Sequence, residues 1–138
     1  MVGPIEPGLI WIGWISLAAL VLYLATCIGV ARTRRRHQIF APAMTGHPEV
    51  ERALRVQANT LEQLVPFLVA LWLCARFWEP LPAAVLGVVW LVGRTLYALG
   101  YYRAAGRRGP GFVIGMVALV ALIVGAAIGL VRLELVLG

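Results

Sequence analysis

The stretch RALRVQANTLEQLVPF, residues 52–67, runs from two arginines through an amide and a carboxylate straight into an apolar segment. Advancing 100° per residue along a helix places Arg52, Arg55, Asn59, Glu62 and Pro66 within a wedge of roughly 80°. The stretch therefore reads as the start of a helix with one continuous polar stripe. Pro66 has no N–H, so the Glu62 carbonyl is expected to lose its helical partner and the helix to bend there.

The surrounding chain explains why such a stripe matters. Of the 138 residues, 62% are hydrophobic. Soluble domains are nearer half apolar, so the composition indicates a membrane protein. All twelve basic residues are Arg, no Lys or Asp occurs, and the net charge is +6. In a soluble chain that balance would suggest nucleic acid. Here the arginines flank apolar runs and read as determinants of bilayer orientation, with no nucleic-acid partner expected. Cys27 and Cys74 lie in apolar runs outside any metal-ligand spacing and read as small buried hydrophobes, so no metal site is expected. Residues 1–8 carry Glu6 and prolines in place of a basic region, which does not resemble a cleaved signal peptide.

Four segments can span a bilayer, giving one expected membrane domain over 1–138 with helices near 9–32, 49–78, 82–104 and 111–133. About 20 apolar residues cross the hydrocarbon core. The first and fourth are uncharged over 9–31 and 111–131 and meet this outright. The second and third, the latter interrupted by Arg94, meet it only if their polar residues face protein or water. The expected fold is all-α, a transmembrane four-helix bundle. Positive charge collects in loop one (Arg32, Arg34, Arg35, Arg36) and loop three (Arg103, Arg107, Arg108). The positive-inside rule puts loops 32–48 and 103–110 in the cytoplasm and both termini opposite. Trp11, Trp14 and Trp78 then fall at the outer interface. In segment four, Gly111, Gly115, Ala118, Gly125 and Gly129 share a face that would admit a close helix neighbour.

On helix three, Arg94, Tyr97 and Tyr101 share a face at the same membrane level as the stripe on helix two. An ionised side chain facing lipid costs roughly 2.5–3.5 kcal/mol. These residues are therefore expected to face one another or a polar cavity. A structural network of Glu62 with Arg55 or Arg94 is one solution. It leaves cations over, with Arg34 and Arg108 nearby, and that excess favours an anion-binding cavity. Tyr97 and Tyr101 would add phenol donors, or form part of an aromatic belt.

At these residues the chain resembles the family of membrane-associated proteins in eicosanoid and glutathione metabolism. The matching stretches are PEVERALRVQANTLEQLVPF and GRTLYALGYYRAAGRRGPGF. The similarity is greatest to the microsomal glutathione transferase and leukotriene C synthase branch, which has Gln at the position of Gln57 where other branches have His. The resemblance implies a homotrimer with glutathione as co-substrate, held between subunits near the cytoplasmic face. It implies that Arg55, Asn59, Glu62, Tyr97 and Tyr101 hold glutathione on one subunit, with Arg94 at the cytoplasmic half of helix three. Gln57 and Arg34 would reach over from the neighbour. Arg108 would stabilise the thiolate, with adjacent Arg107 as the alternative. Position 63 departs from the pattern, with Gln where the leukotriene synthase branch has a ligand-contacting Tyr.

The implied activity is glutathione transfer to, or peroxidase reduction of, a hydrophobic small molecule reaching the site through membrane lipid. A thiol with pKa near 8.5 is mostly protonated at neutral pH, and a neighbouring guanidinium favours its thiolate. Arg does not deprotonate in this range, so its role would be electrostatic. A non-catalytic lipid- or glutathione-binding scaffold is the alternative. A small multidrug transporter is a further one, disfavoured because helix one carries no carboxylate.

Overall fold

The computed structural model describes residues 7–138, and the sequence reading of the N-terminus around Glu6 lies outside the described residues. Four long helices follow in order: α1 (Pro7–His37), α2 (Pro48–Phe77), α3 (Pro80–Arg103) and α4 (Gly109–Leu137), with a short 3-10 turn at Ala105–Arg108. All are long and apolar enough to cross a membrane. At 1.5 Å per residue the 30 residues of α2 extend about 45 Å, beyond the ~30 Å hydrocarbon core. Its polar first turns can thus stand outside lipid.

Local chemistry sets the helix ends. The α1 helix runs through Arg34, Arg35, Arg36 and His37, because Arg is a good helix former and cations suit a helix C-terminus. It stops in a Schellman turn: Gln38 takes φ 56°, and the Ile39 N–H donates to the Arg34 carbonyl at 3.1 Å. The α2 helix starts at Pro48, which has no N–H to satisfy. His47 caps it by accepting from the Glu49 N–H, and Glu49 and Glu51 complement the dipole. It remains helical through Pro66.

Neighbouring helices alternate in direction, so α1 and α3 begin at the same end. A Cβ added to Gly8 would lie 2.6 Å from Pro80. At the opposite end lie Arg32, Arg34, Arg35 and Arg36, which belong to the last turns of α1 and not to a loop starting at residue 32 as expected, together with Arg52, Arg55, Arg103, Arg107 and Arg108. Lipid tails are as apolar as Leu, so helix association in a bilayer relies on van der Waals fit. The small-residue face of α4 supplies it: Gly111, Gly115, Ala118, Gly125 and Gly129 are all buried. A Cβ on Gly93 of α3 would sit 2.5 Å from the Gly115 backbone nitrogen, and one on Gly129 would collide with the Phe77 carbonyl. Between α2 and α3 the Phe67 and Trp90 rings stack at 3.8 Å with 5° between planes. Outward-facing Val21, Leu24, Val85 and Val117 are more than half exposed, as expected for side chains solvated by lipid.

Candidate functional site

The polar stripe of α2 and the Tyr face of α3 meet at the arginine-rich end of the bundle. They enclose an open cavity of about 680 Å³ lined by Arg55, Ala58, Asn59, Glu62, Tyr97, Tyr101, Arg108 and Phe112. That volume lies within the ~300–1,000 Å³ range of small-molecule sites. Of the seven expected glutathione-contacting side chains of α2 and α3, five line it directly, Arg94 sits behind them, and Gln57 lies elsewhere.

Arg94 is 1% exposed. Its Nη1 donates to Asn59 Oδ1 at 3.1 Å and its Nη2 to Thr60 Oγ1 at 3.0 Å. Its guanidinium also lies over the Tyr97 ring at 4.1 Å, a cation–π contact strengthened by burial. Asn59 passes the contact on, donating from Nδ2 to Glu62 Oε2 at 3.3 Å. Asn59 is thereby oriented, its oxygen taken by Arg94 and its amide protons facing the carboxylate. Among the described residues the side-chain ion pair falls on Glu49, from Arg36, and His37 Nε2 lies 2.8 Å from the same carboxylate. The direct Glu62–Arg55 or Glu62–Arg94 bridge considered from the sequence does not form. An amide intervenes, leaving Glu62 lone pairs and the Arg55 guanidinium for a ligand.

Arg108 comes from another part of the chain. After α3 the backbone turns back on itself, with the Ala104 N–H donating to the Gly100 carbonyl and the Arg107 N–H to the Ala104 carbonyl. The turn presses onto Gly100, where any Cβ would collide with the Arg107 carbonyl. This close return sets the Arg108 guanidinium 5.3 Å from the Tyr101 ring centre. Arg108 lines the cavity and Arg107 does not. Tyr101 meets Tyr97 edge-on at 5.6 Å, and Phe112 of α4 backs Tyr97 at 6.3 Å.

Two expected residues lie elsewhere. Gln57 faces α1, its Nε2 3.3 Å from Cys27 Sγ. Arg34 holds loop one, donating from Nη1 to the Ala43 carbonyl at 2.7 Å and the Ile39 carbonyl at 3.2 Å. Sequence reasoning missed Thr60, Ala58 and Phe112. Thr60 is a neutral residue on a buried face, and only its pairing with Arg94 marks it. It also missed a cluster of His37, His47 and Glu49 across loop one, because ligands ten and two residues apart match no familiar metal-binding spacing.

Two guanidiniums, one carboxylate and two phenols line an open pocket at the basic end of a membrane helical bundle. The chain belongs to the MAPEG family, whose sequence profile matches residues 12–128. It is 48% identical over 122 residues to an uncharacterized protein of Synechocystis, covering 88% of this chain and 89% of that one. It is 36% identical over 115 residues to microsomal glutathione S-transferase 2 of Homo sapiens, covering 78% of each. To leukotriene C4 synthase of Bos taurus it is 34% identical over 116 residues, covering 84% of this chain and 77% of that one.

Proposed function

We propose that this protein is a membrane glutathione transferase acting on hydrophobic electrophiles. The observation that carries the reading is the cavity's unequal charge: Arg55 and Arg108 line it against the single carboxylate of Glu62. Glutathione has two carboxylates, one ammonium and one thiol. Arg55 suits a carboxylate, through the paired N–H geometry that guanidinium offers. Glu62, held by Asn59 on one oxygen, suits the ammonium. The phenols of Tyr97 and Tyr101 donate hydrogen bonds. Arg108 is the residue for the sulfur, where its fixed positive charge stabilises the thiolate.

The thiol proton leaves to solvent, and the thiolate forms a C–S bond as the leaving group departs from the electrophile with its electron pair. The apolar reactant enters sideways from lipid. Kinship to proteins named glutathione S-transferase and leukotriene C4 synthase supports this assignment. In this reading the active unit is a homotrimer. Gln57 and Arg34, which stand outside the cavity of their own subunit, serve the neighbouring one. The arginine-rich end faces the cytoplasm, with both termini opposite.

Calorimetric titration of the detergent-purified chain with glutathione, alongside conjugation to an aryl halide, tests the assignment. Binding with conjugation is expected. Binding without conjugation would favour a scaffold, and no heat of binding would remove the glutathione reading altogether. Arg108→Ala is expected to lower kcat about 10²–10³-fold, the usual cost of removing one preorganised charge-stabilising donor. Arg55→Ala should act mainly on KM. Retention of full kcat by Arg108→Ala would refute the thiolate role.

A further inference from the structure

We propose that His37, His47 and Glu49 form a binding site for a borderline divalent transition ion of the Zn²⁺ type, joining the two ends of loop one. His37 is the last residue of α1, His47 caps α2, and Glu49 follows in its first turn. One donor atom from each lies within 4.8 Å of the others. His37 Nε2 and Glu49 Oε2 are already 2.8 Å apart. In a tetrahedral zinc site with bonds near 2.1 Å, donors stand about 3.4 Å apart. One spacing is shorter than that value and none exceeds 4.8 Å, a difference that side-chain rotation can make up.

The donor set selects the ion. Two imidazoles and one carboxylate suit zinc and its neighbours, whereas magnesium and calcium prefer oxygen ligands alone. Three protein ligands would leave a fourth position for water. The site is reachable: the His37 side chain is 19% exposed and Glu49 42%. Two features must yield on loading. The His rings are stacked, 3.5 Å between centres and 17° between planes, so their in-plane lone pairs lie in nearly parallel planes and one ring must turn. His47 Nδ1 also accepts from the Glu49 N–H at 3.2 Å, and the ion competes with that cap. Arg36 Nη1, 3.7 Å from the same Glu49 oxygen, opposes a cation, but its side chain is 75% exposed and can swing into water.

A bound ion would clamp residues 38–46, the loop whose carbonyls hold Arg34. The site is independent of the glutathione assignment, and its test reads metal alone. The full chain in detergent, stripped with chelator, is titrated with Zn²⁺ against a fluorescent competitor, and Co²⁺ is used for absorption spectra. The expected result is one ion per chain, a four-coordinate cobalt spectrum and a higher Tm on loading. His47→Ser keeps a capping oxygen at the helix start while deleting the imidazole. It should preserve the metal-free Tm and weaken binding at least tenfold, as should Glu49→Gln. The double variant Cys27→Ser, Cys74→Ser should bind as the wild type does. Equal affinity in His47→Ser and Glu49→Gln, loss of binding in the cysteine variant, or no zinc binding by the folded wild type would each overturn the proposal.

Discussion

Arg94 shows what a single charged residue does inside this bundle. It is buried with no carboxylate in contact, and its Nε has no hydrogen-bond partner in the structure. A buried, unpaired guanidinium costs free energy, which its bonds to Asn59 and Thr60 and its place over Tyr97 only partly offset. Its effect falls on Asn59, which it orients towards Glu62. Arg94→Met is therefore expected to leave thermal stability within about 1 kcal/mol, since removing the buried charge offsets the lost hydrogen bonds. Glutathione affinity should fall at least tenfold, about 1.4 kcal/mol. Calorimetry and thermal unfolding on one preparation check both parts, and unchanged affinity would refute the orienting role. Gln38 offers a smaller test. It holds φ 56°, a conformation costing a non-glycine residue roughly 1–2 kcal/mol. Gln38→Gly should raise the Tm by a few degrees.

The elements depend on glycine where they touch. The contact of α3 with α4 is close because Gly93 faces Gly115, and the end of α2 rests on Gly129. Gly93→Leu or Gly129→Val should destabilise the fold by about 1–3 kcal/mol or more, because the obstacle is backbone and cannot move aside. Thermal unfolding in detergent measures this. Gly100 has a different consequence, since it lets the 3-10 turn fold back and carry Arg108 over Tyr101. Gly100→Val should push the turn outward, lowering conjugation kcat towards that of Arg108→Ala while glutathione binding by Arg55 persists. The glycine stripe on α4 is legible from sequence because its spacing is a property of one helix. Its partners on α3 and α2 are not, since they follow from the relative heights of separate helices.

The whole molecule is polarised by charge. The end of α1, the start of α2 and the turn after α3 gather nine of the twelve arginines at one end, while Trp11 and Trp14, 65% and 64% exposed, lie at the other. That asymmetry supports a cytoplasmic cavity. A cysteine introduced at exposed Gly106, in a chain lacking Cys27 and Cys74, should react with an impermeant maleimide only from the cytoplasmic side. Labelling of intact cells and of inverted vesicles compares the two faces. The trimeric reading predicts three chains in native mass spectrometry from mild detergent. Arg34→Ala and Arg55→Ala subunits, each impaired alone at sub-saturating glutathione, should then recover partial activity at that concentration when mixed, because some cavities receive both arginines.

Periodicity along one chain determined much of this protein. Apolar length specifies four spanning helices, and the 80° wedge from Arg52 to Pro66 specifies a polar face, because both follow from helix geometry without reference to neighbours. The same local logic brings Tyr97 and Tyr101 to one face of α3. Only the tertiary structure decided how the charges are satisfied. Arg94 meets Asn59 and Thr60 instead of Glu62, Arg108 and not Arg107 lines the cavity, and His37 stacks on His47 across a nine-residue loop. Each of these depends on the register between helices. Where α3 meets α4 and α4 meets the end of α2, glycine lets the backbones approach; in every case the register is a pairwise property that no single helix carries in its own sequence.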